Sequence, residues 1–456
     1  IAPAGFLKEA VSENIIAGPA MLRRARYQFG LTLKHSCCGE ATSGLGPRPS
    51  MGTPSLIAPT IDITHTGQEL TVGNVKIVFQ ITPGTEAPAE MNFFLPEFRA
   101  VFMAENANLC MHNLLPARGA LVRDAKAWAD YLTESIRLFA GESDVMFAAH
   151  GIPRFGTQEI IGFLMNHRDA YKFLHDQTIR LINTGLTATE IAEVLKLPDV
   201  LAKQWYNRGY YGTMSHNAKA IYQRYIGWYD ANPANLNPLP PEPAAKRYVE
   251  AMGGQETVRA RAAEAAKAGE LRWAATLLNH AVFNDPSDRA AREQLAAIYT
   301  KLGFEAEAGT WRNIYLTGAQ ELTDGVANLL PVAPNADVLS AMTTPMLLDI
   351  AAVRVNPAKA EGLNFKVNIR LTDRDEKHLV TVENGVLIHE EDIEDADAGA
   401  SVRMTRAELI MTLLAGFPVA DFLANGGIKA EGDATLYETL AGMIEAPAPN
   451  FNIVEP

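Results

Sequence analysis

The hydrophobic periodicity of this chain changes twice, and that change limits the possible folds more than any other feature. In residues 1–150, short apolar runs bounded by turn residues mark strands at Ser55–Asp62, Asn74–Ile81, Met91–Leu95, Ala100–Ala104 and Asp144–His150. Between the last two lies a helical stretch, Asp124–Phe139, with Ala125, Trp128, Tyr131, Leu132, Ile136 and Leu138 near helical spacing. From Thr157 to about Gly318 the strand signal vanishes. A long helical pattern covers 157–184, and Thr187 with Glu190 spells the N-cap and capping box of the next helix. Alternation returns at Asn364–Leu371, His378–Glu383 and Gly385–His389, followed by helical segments at 405–415, 418–424 and 433–446. The three regimes predict a multidomain α+β protein.

Length agrees, because 456 residues at roughly 100–200 per domain give about three units. The predicted boundaries are 1–155, 156–330 and 331–456. Residues 35–53, rich in Gly, Ser and Pro, read as a long loop; 232–248 is a Pro-rich break and 331–345 a Pro/Ala-rich linker. The stretch 269–303 resembles a single tetratricopeptide-type helical hairpin, more simply a packed helical domain able to dimerise than a docking array. The net charge of −13 speaks against a nucleic-acid partner. From Pro331 onward 20 acidic residues face 9 basic ones, a net −11, which leaves −2 for residues 1–330. The acidic run 390–399 reads as a solvated turn, its spacing unlike a calcium loop. Cys37, Cys38 and Cys110 cannot form a disulfide framework. No apolar run reaches the roughly 18 residues of a membrane span, and nothing at the start resembles a signal peptide.

Residues 82–125 carry the chemistry. Glu86 sits in a Gly-Thr-Glu-Ala-Pro turn, Glu105 ends the strand Ala100–Ala104, Asn113 and Arg118 follow in a loop, and His150 closes the strand Asp144–His150. Strand ends are where loops converge on a cleft. Two carboxylates and an imidazole delivered there can ligate a borderline cation such as Zn²⁺. The same residues, taken singly, also fit surface carboxylates and a structural histidine.

The strings around them are more specific. Gly84 to Asn92, Met103 to Ala107, His112-Asn113-Leu114, Arg118-Gly119-Ala120, Val122 to Ala125, His175 to Thr178, Asn207 to Thr213, Ser215-His216-Asn217, Tyr225 to Asp230 and Trp311-Arg312-Asn313 closely resemble the alkylsulfatases of the metallo-β-lactamase superfamily. The resemblance runs along essentially the whole chain. It implies part of a metallo-β-lactamase αββα sandwich, an all-α dimerisation domain that makes a homodimer, and a C-terminal α+β domain similar to sterol carrier proteins. It further implies a site with two zinc ions, Glu86, Glu105 and His150 as zinc ligands, and Asn113 and Arg118 as sulfate-binding groups. His216 becomes a candidate for binding sulfate or donating a proton from the second domain. Arg118 suits its role because a planar guanidinium grips two sulfate oxygens at once.

The sequence also departs from the family pattern. The family's His-x-His-x-Asp-His box, which supplies the remaining zinc ligands, is absent: no two of the ten histidines lie within two residues of each other. With Ile1 in place of Met at the start, the expectation is a chain that begins just after that box, with any export signal upstream. Periplasmic or secreted location is expected on the family's habit, cytoplasmic otherwise. Gly151 stands where some members carry another His, which bears on substrate preference. The implied activity is zinc-dependent hydrolysis of alkyl sulfate esters to alcohol and sulfate. Two alternatives stand beside it: another ester hydrolase of the same fold superfamily, and a non-catalytic surfactant- or lipid-binding dimer. Residues 331–456 fit either a tunnel for the alkyl tail or a domain whose apolar helices fill its own core.

Overall fold

A computed structural model describes residues 1–8, 16–46, 55–328 and 336–456. Helix α1 (Gly18–Phe29) precedes a six-stranded sheet whose spatial order follows the chain: β1 (Glu69–Val72), β2 (Val75–Ile81), β3 (Met91–Leu95), β4 (Ala100–Phe102), β5 (Val145–Phe147) and β6 (Arg154–Phe155). The first four strands form an antiparallel meander. It opens on a two-residue turn, Gly73-Asn74, with both residues at positive φ, the twist that a tight hairpin requires. Strand β5 then runs parallel to β4, so the chain crosses over through helix α2 (Ala125–Leu138).

Asp124 caps α2 by accepting from the amides of Lys126 and Ala127. Its inner face, Ala125, Trp128, Ala129, Leu132 and Ser135, is buried, and packs in one core with Phe94, Val101 and Met146 of the sheet and with α3 (Thr157–Ile182). Each such leucine contributes about 1.5–3 kcal/mol by leaving water. Trp128 stacks on Tyr171 of α3 with centroids 4.7 Å apart.

The longer helices that follow before the C-terminal part are α4 (Ala188–Val194), α5 (Met214–Ile226), α6 (Pro241–Ala251), α7 (Gln255–Lys267), α8 (Leu271–Asn284), α9 (Arg289–Glu305) and α10 (Gly309–Asp324). The expected capping box of Thr187 and Glu190 opens α4. The Pro-rich break is shorter than expected, because α6 starts inside it at Pro241; a proline in the first helical turn has no amide bond to lose. Ile191, Tyr206, Ala218 and Ile221 share the core of the sheet. Tyr27 of α1 and Val454 instead join the core of α6 to α10, where buried Arg23 pairs with Glu321 at 2.7 Å.

A second sheet occupies the C-terminal part, with strands β7 (Phe365–Leu371), β8 (Glu376–Glu383), β9 (Val386–Glu391), β10 (Ala400–Met404) and β11 (Lys429–Gly432) in the order β9-β8-β7-β10-β11. Its core includes Leu347, Leu348, Leu409 and Leu413, all nearly inaccessible. They close on one another around a gap without room for a water molecule. The acidic turn is solvated and partly neutralised, Asp395 by Lys366 at 2.6 Å and Glu394 by Lys377 at 3.0 Å.

The multidomain α+β arrangement is therefore present. Of the expected strand Ser55–Asp62 only Asp62 is paired, in a two-residue strand with Ile63 against Ala2–Pro3. Pro59 offers no amide to a ladder, and Ile57 is 91% exposed. Residues 35–46 form turns, as expected of the long loop, whose remainder lies outside the described residues. The expected linker 331–345 is helical at Ala336–Ala341, and 331–335 lie outside the described residues. Among the described residues no helix is long and apolar enough to cross a membrane.

Candidate active site

Four side chains meet where β2, β4 and β5 end. Glu86 follows β2 in a turn whose Gly84 carbonyl accepts from the Asp124 amide at 2.9 Å, which joins the turn to the start of α2. Glu105 follows β4 after Ala104, a non-glycine residue at φ 45°, a sparsely populated conformation. The Ala149 amide donates to the Ala104 carbonyl at 2.8 Å, and this bond brings His150 beside Glu105. His112 arrives from the following loop, with its amide donating to the Tyr171 hydroxyl at 2.9 Å.

The Glu105 carboxylate lies between two imidazoles, 2.7 Å from His112 Nε2 and 3.2 Å from His150 Nε2. Burial works against its ionisation, but the hydrogen bonds from His112 and His150 prevail and hold it well below the usual carboxylate range. The bond to Glu105 conversely raises His150, against partial burial. Ligand atoms of Glu86, Glu105 and His112 all lie within 4.8 Å of one another, the size of site that a cation can fill.

Arg123, 7% exposed, organises this group from the side. One terminal nitrogen pairs with Glu86. The other donates to the Asn113 carbonyl and Oδ1, each at 2.8 Å, and lies 2.9 Å from His112 Nδ1. A guanidinium only donates and a carbonyl only accepts, and His112 Nδ1 lies 2.9 Å from both Arg123 and the Asn113 carbonyl, so these contacts hold the ring in place without fixing its tautomer. Glu90, buried behind both loops, is pushed up to about 7 by desolvation and then by the charge of Glu86, against hydrogen bonds from Thr85 and the Glu105 amide.

A cleft of about 360 Å³ opens beside Glu86, lined by Arg118, Arg123 and Arg224 with Ala87, Pro88, Leu121 and Val122. Three guanidiniums over an apolar rim suit an anion with a hydrocarbon tail. Helix α1 holds this wall: the Arg118 amide donates to Gln28 Oε1 at 2.8 Å, and Arg24 donates to the Ala117 carbonyl. Helix α5 holds it from the other side, with Asn217 accepting from the Leu114 amide at 2.9 Å and donating to the His112 carbonyl at 3.0 Å.

The alkyl sulfatase dimerisation family matches residues 187–325, and the alkyl sulfatase C-terminal family matches residues 332–456. An alkyl/aryl-sulfatase of Saccharomyces cerevisiae is 43% identical over the whole chain, which spans 70% of that relative. A linear primary-alkylsulfatase of a Pseudomonas species is 41% identical over the whole chain and 68% of its own length. The chain belongs to the alkylsulfatase family. The solved structure of a stereoselective inverting sec-alkylsulfatase from a Pseudomonas species superposes with a TM-score of 0.96 at 39% identity, over all of this chain and 72% of the other.

Among the site residues expected of this alkylsulfatase chain, Glu86, Glu105 and His150 converge, but the tight group contains His112 where His150 was expected. Asn113 is buried, with its Oδ1 taken by Arg123, and Arg118 lines the cleft. His216 is set apart. Its Nδ1 accepts from the Trp311 indole at 3.2 Å and its Nε2 contacts the Leu115 carbonyl, so both nitrogens are occupied by protein groups, and burial lowers its pKa against the bond to Leu115. Gly151 has φ +94°, and a Cβ there would lie 2.3 Å from Leu109, so this backbone selects glycine. His112, Arg123, Arg224 and Glu90 were given no role from the sequence. The signal available for Arg123 was its place one residue before the cap Asp124, which aims the start of α2 at the Glu86 turn.

Proposed function

We propose that the chain hydrolyses alkyl sulfate esters to alcohol and inorganic sulfate at this site. The observation that carries the reading is the Glu86, Glu105 and His112 group, with His150 on Glu105, opening onto a cleft of three arginines with an apolar rim. The donors suit zinc, which takes three protein ligands at a catalytic centre and leaves one position open. Glu86, Glu105 and His112 would hold it, with His150 on Glu105, and zinc when bound would supply Lewis acidity and an acidified water.

The remaining work falls to this chain's own side chains. Arg118 and Arg123 orient the sulfate and offset charge on its oxygens, and Leu121 and Val122 receive the start of the alkyl chain. Asn113 contributes by exchanging a present bond for a sulfate oxygen. His216 fixes the chain just before Arg118, and proton delivery from it requires Nε2 to leave Leu115. We assign residues 1–155 to a metallo-β-lactamase-type domain, 156–330 to a helical dimerisation domain with a tetratricopeptide-like hairpin, and 331–456 to a sterol-carrier-like domain. Homodimerisation through the helical domain is supported by its match to the dimerisation family and by exposed Trp205, Trp228 and Trp273.

The test is zinc content together with sulfate release from dodecyl sulfate, for this chain and for a version extended upstream to carry the His box. Sulfate release that depends on zinc is expected. A zinc-loaded extended protein that left alkyl sulfates intact would overturn the reading in favour of surfactant binding without catalysis. Label from isotopic water found in sulfate or in the alcohol decides between attack at sulfur and attack at carbon.

A further inference from the structure

We propose that Glu90 is a positioning residue that fixes Glu86 and Glu105 relative to each other; this rests on the metal-centre reading above. Glu90 immediately precedes β3 and is 8% exposed, with its carbonyl anchored by the Thr82 amide at 2.9 Å. Its carboxylate turns back toward the site. Oε2 accepts from the Thr85 hydroxyl at 2.7 Å, the Glu86 amide at 2.9 Å and the Ala87 amide at 3.4 Å. Oε1 accepts from the Glu105 amide at 3.0 Å.

One planar group therefore spans two loops that leave different strands, and three of its four bonds land on the backbone of a candidate ligand or its neighbour, the fourth on the Thr85 hydroxyl. Only an ionised carboxylate presents two oxygens that both accept and neither donates. Placing a third carboxylate beside Glu86 and Glu105 is unfavourable by charge alone, yet four donors are arranged around it. A neutral or apolar residue would fill the same space without that repulsion. What the carboxylate adds is a fixed distance between the two loops, and outer groups of this kind orient metal ligands.

The two ends of Glu90 can be separated by substitution. In Glu90→Gln the amide oxygen keeps the three donors of the 85–87 turn, and the NH2 then faces the Glu105 amide, donor against donor. The variant should hold Glu86 and release Glu105. Hydrogen exchange by mass spectrometry on the full chain should show faster exchange in 103–107 with little change in 84–88. Zinc affinity by calorimetry should fall about tenfold with unchanged far-UV circular dichroism. Thr85→Val, which disturbs only the turn side, should show the converse exchange pattern. If Glu90→Gln does not fold, Glu90→Asp, too short to span both loops, gives the same two readouts. Wild-type exchange at 103–107, or zinc affinity within twofold of wild type, would overturn the proposal. A wild-type chain that took up no zinc would overturn the metal-centre reading instead, and the exchange pattern would then judge the Glu90 link by itself.

Discussion

Arg123→Met keeps the length of the side chain and removes every polar contact it makes, so it isolates what the guanidinium contributes. The acceptors left behind differ in how far water can reach them. Asn113 is 2% exposed, and stranding its Oδ1 costs about 1.5 kcal/mol within the usual range for an unsatisfied buried group, whereas His112 Nδ1 and the Asn113 carbonyl, 2.9 Å apart, keep each other. The Glu86 side chain is 23% exposed and can rehydrate, which reduces its loss to about 1 kcal/mol. One gain offsets these losses: Arg123 Nε is itself buried without an acceptor, and its removal returns about 1 kcal/mol. The net is a destabilisation of about 1.5 kcal/mol, or roughly 3–6 °C in Tm for a unit of this size. Lys at this position keeps the charge but reaches fewer acceptors at once, and should lose about half as much. Differential scanning calorimetry, with near-UV circular dichroism to follow the packing of Trp128, measures the shift. An Arg123→Met transition within about 2 °C of wild type, with a native near-UV spectrum, would refute the reasoning.

Three further outcomes follow from the same geometry. Zinc at a hundredfold excess over its Kd should raise stability by about 2.7 kcal/mol, seen as a higher Tm, and Glu105→Gln should abolish the increment. Gly212→Ala should cost about 3 kcal/mol in chemical denaturation, because its Cβ would lie 2.2 Å from the His112 carbonyl oxygen; a tolerated alanine would show that this loop yields freely. His167, wholly buried, has its pKa lowered to about 4 by desolvation. The unfolded chain therefore binds the proton more readily, and the stability is intact above about pH 6.5 and lost as pH falls toward 4, by about 3 kcal/mol in all. His167→Phe should flatten that limb relative to wild type, and equal acid limbs would exclude the effect; the comparison is needed because the raised pKa of Glu90 acts in the opposite sense.

What could be read from the sequence was whatever depends on neighbours along the chain. Asp124 and Thr187 announce their helices because a cap acts within three residues, and Met91–Leu95 announces a strand as a short apolar run bounded by turn residues. The edge strands β1 and β11 bury too little to leave an apolar pattern, although edge β9 is expected at Gly385–His389, and β10 within the sheet, Ala-Ser-Val-Arg-Met, is missed as well. At the site, Glu105 and His150 follow strands and Glu86 lies in the turn after one, but their roles were implied by the family resemblance of the strings around them. His112 and Arg123 come from the loop between β4 and α2, where no periodicity constrains direction, and their roles depend on contacts with Tyr171 and Glu86 that are distant in sequence. His216 sits at the expected helix start, but what its ring touches is decided by Leu115 and Trp311, which no local pattern reveals.

The bonds from helix α5 to the site loop have a bearing on how the protein comes into being during synthesis. The Met111 and His112 carbonyls and the Leu114 amide find their partners at Gly212 and Asn217, about a hundred residues later in the chain. At about 5–20 residues per second, a ribosome needs roughly 5–20 s to deliver them. Through that interval the loop that carries His112 and Asn113 has only its earlier partners, among them the Arg123 amide on the Leu114 carbonyl and the Tyr171 hydroxyl on the His112 amide. Its last contacts form only when helix α5 docks.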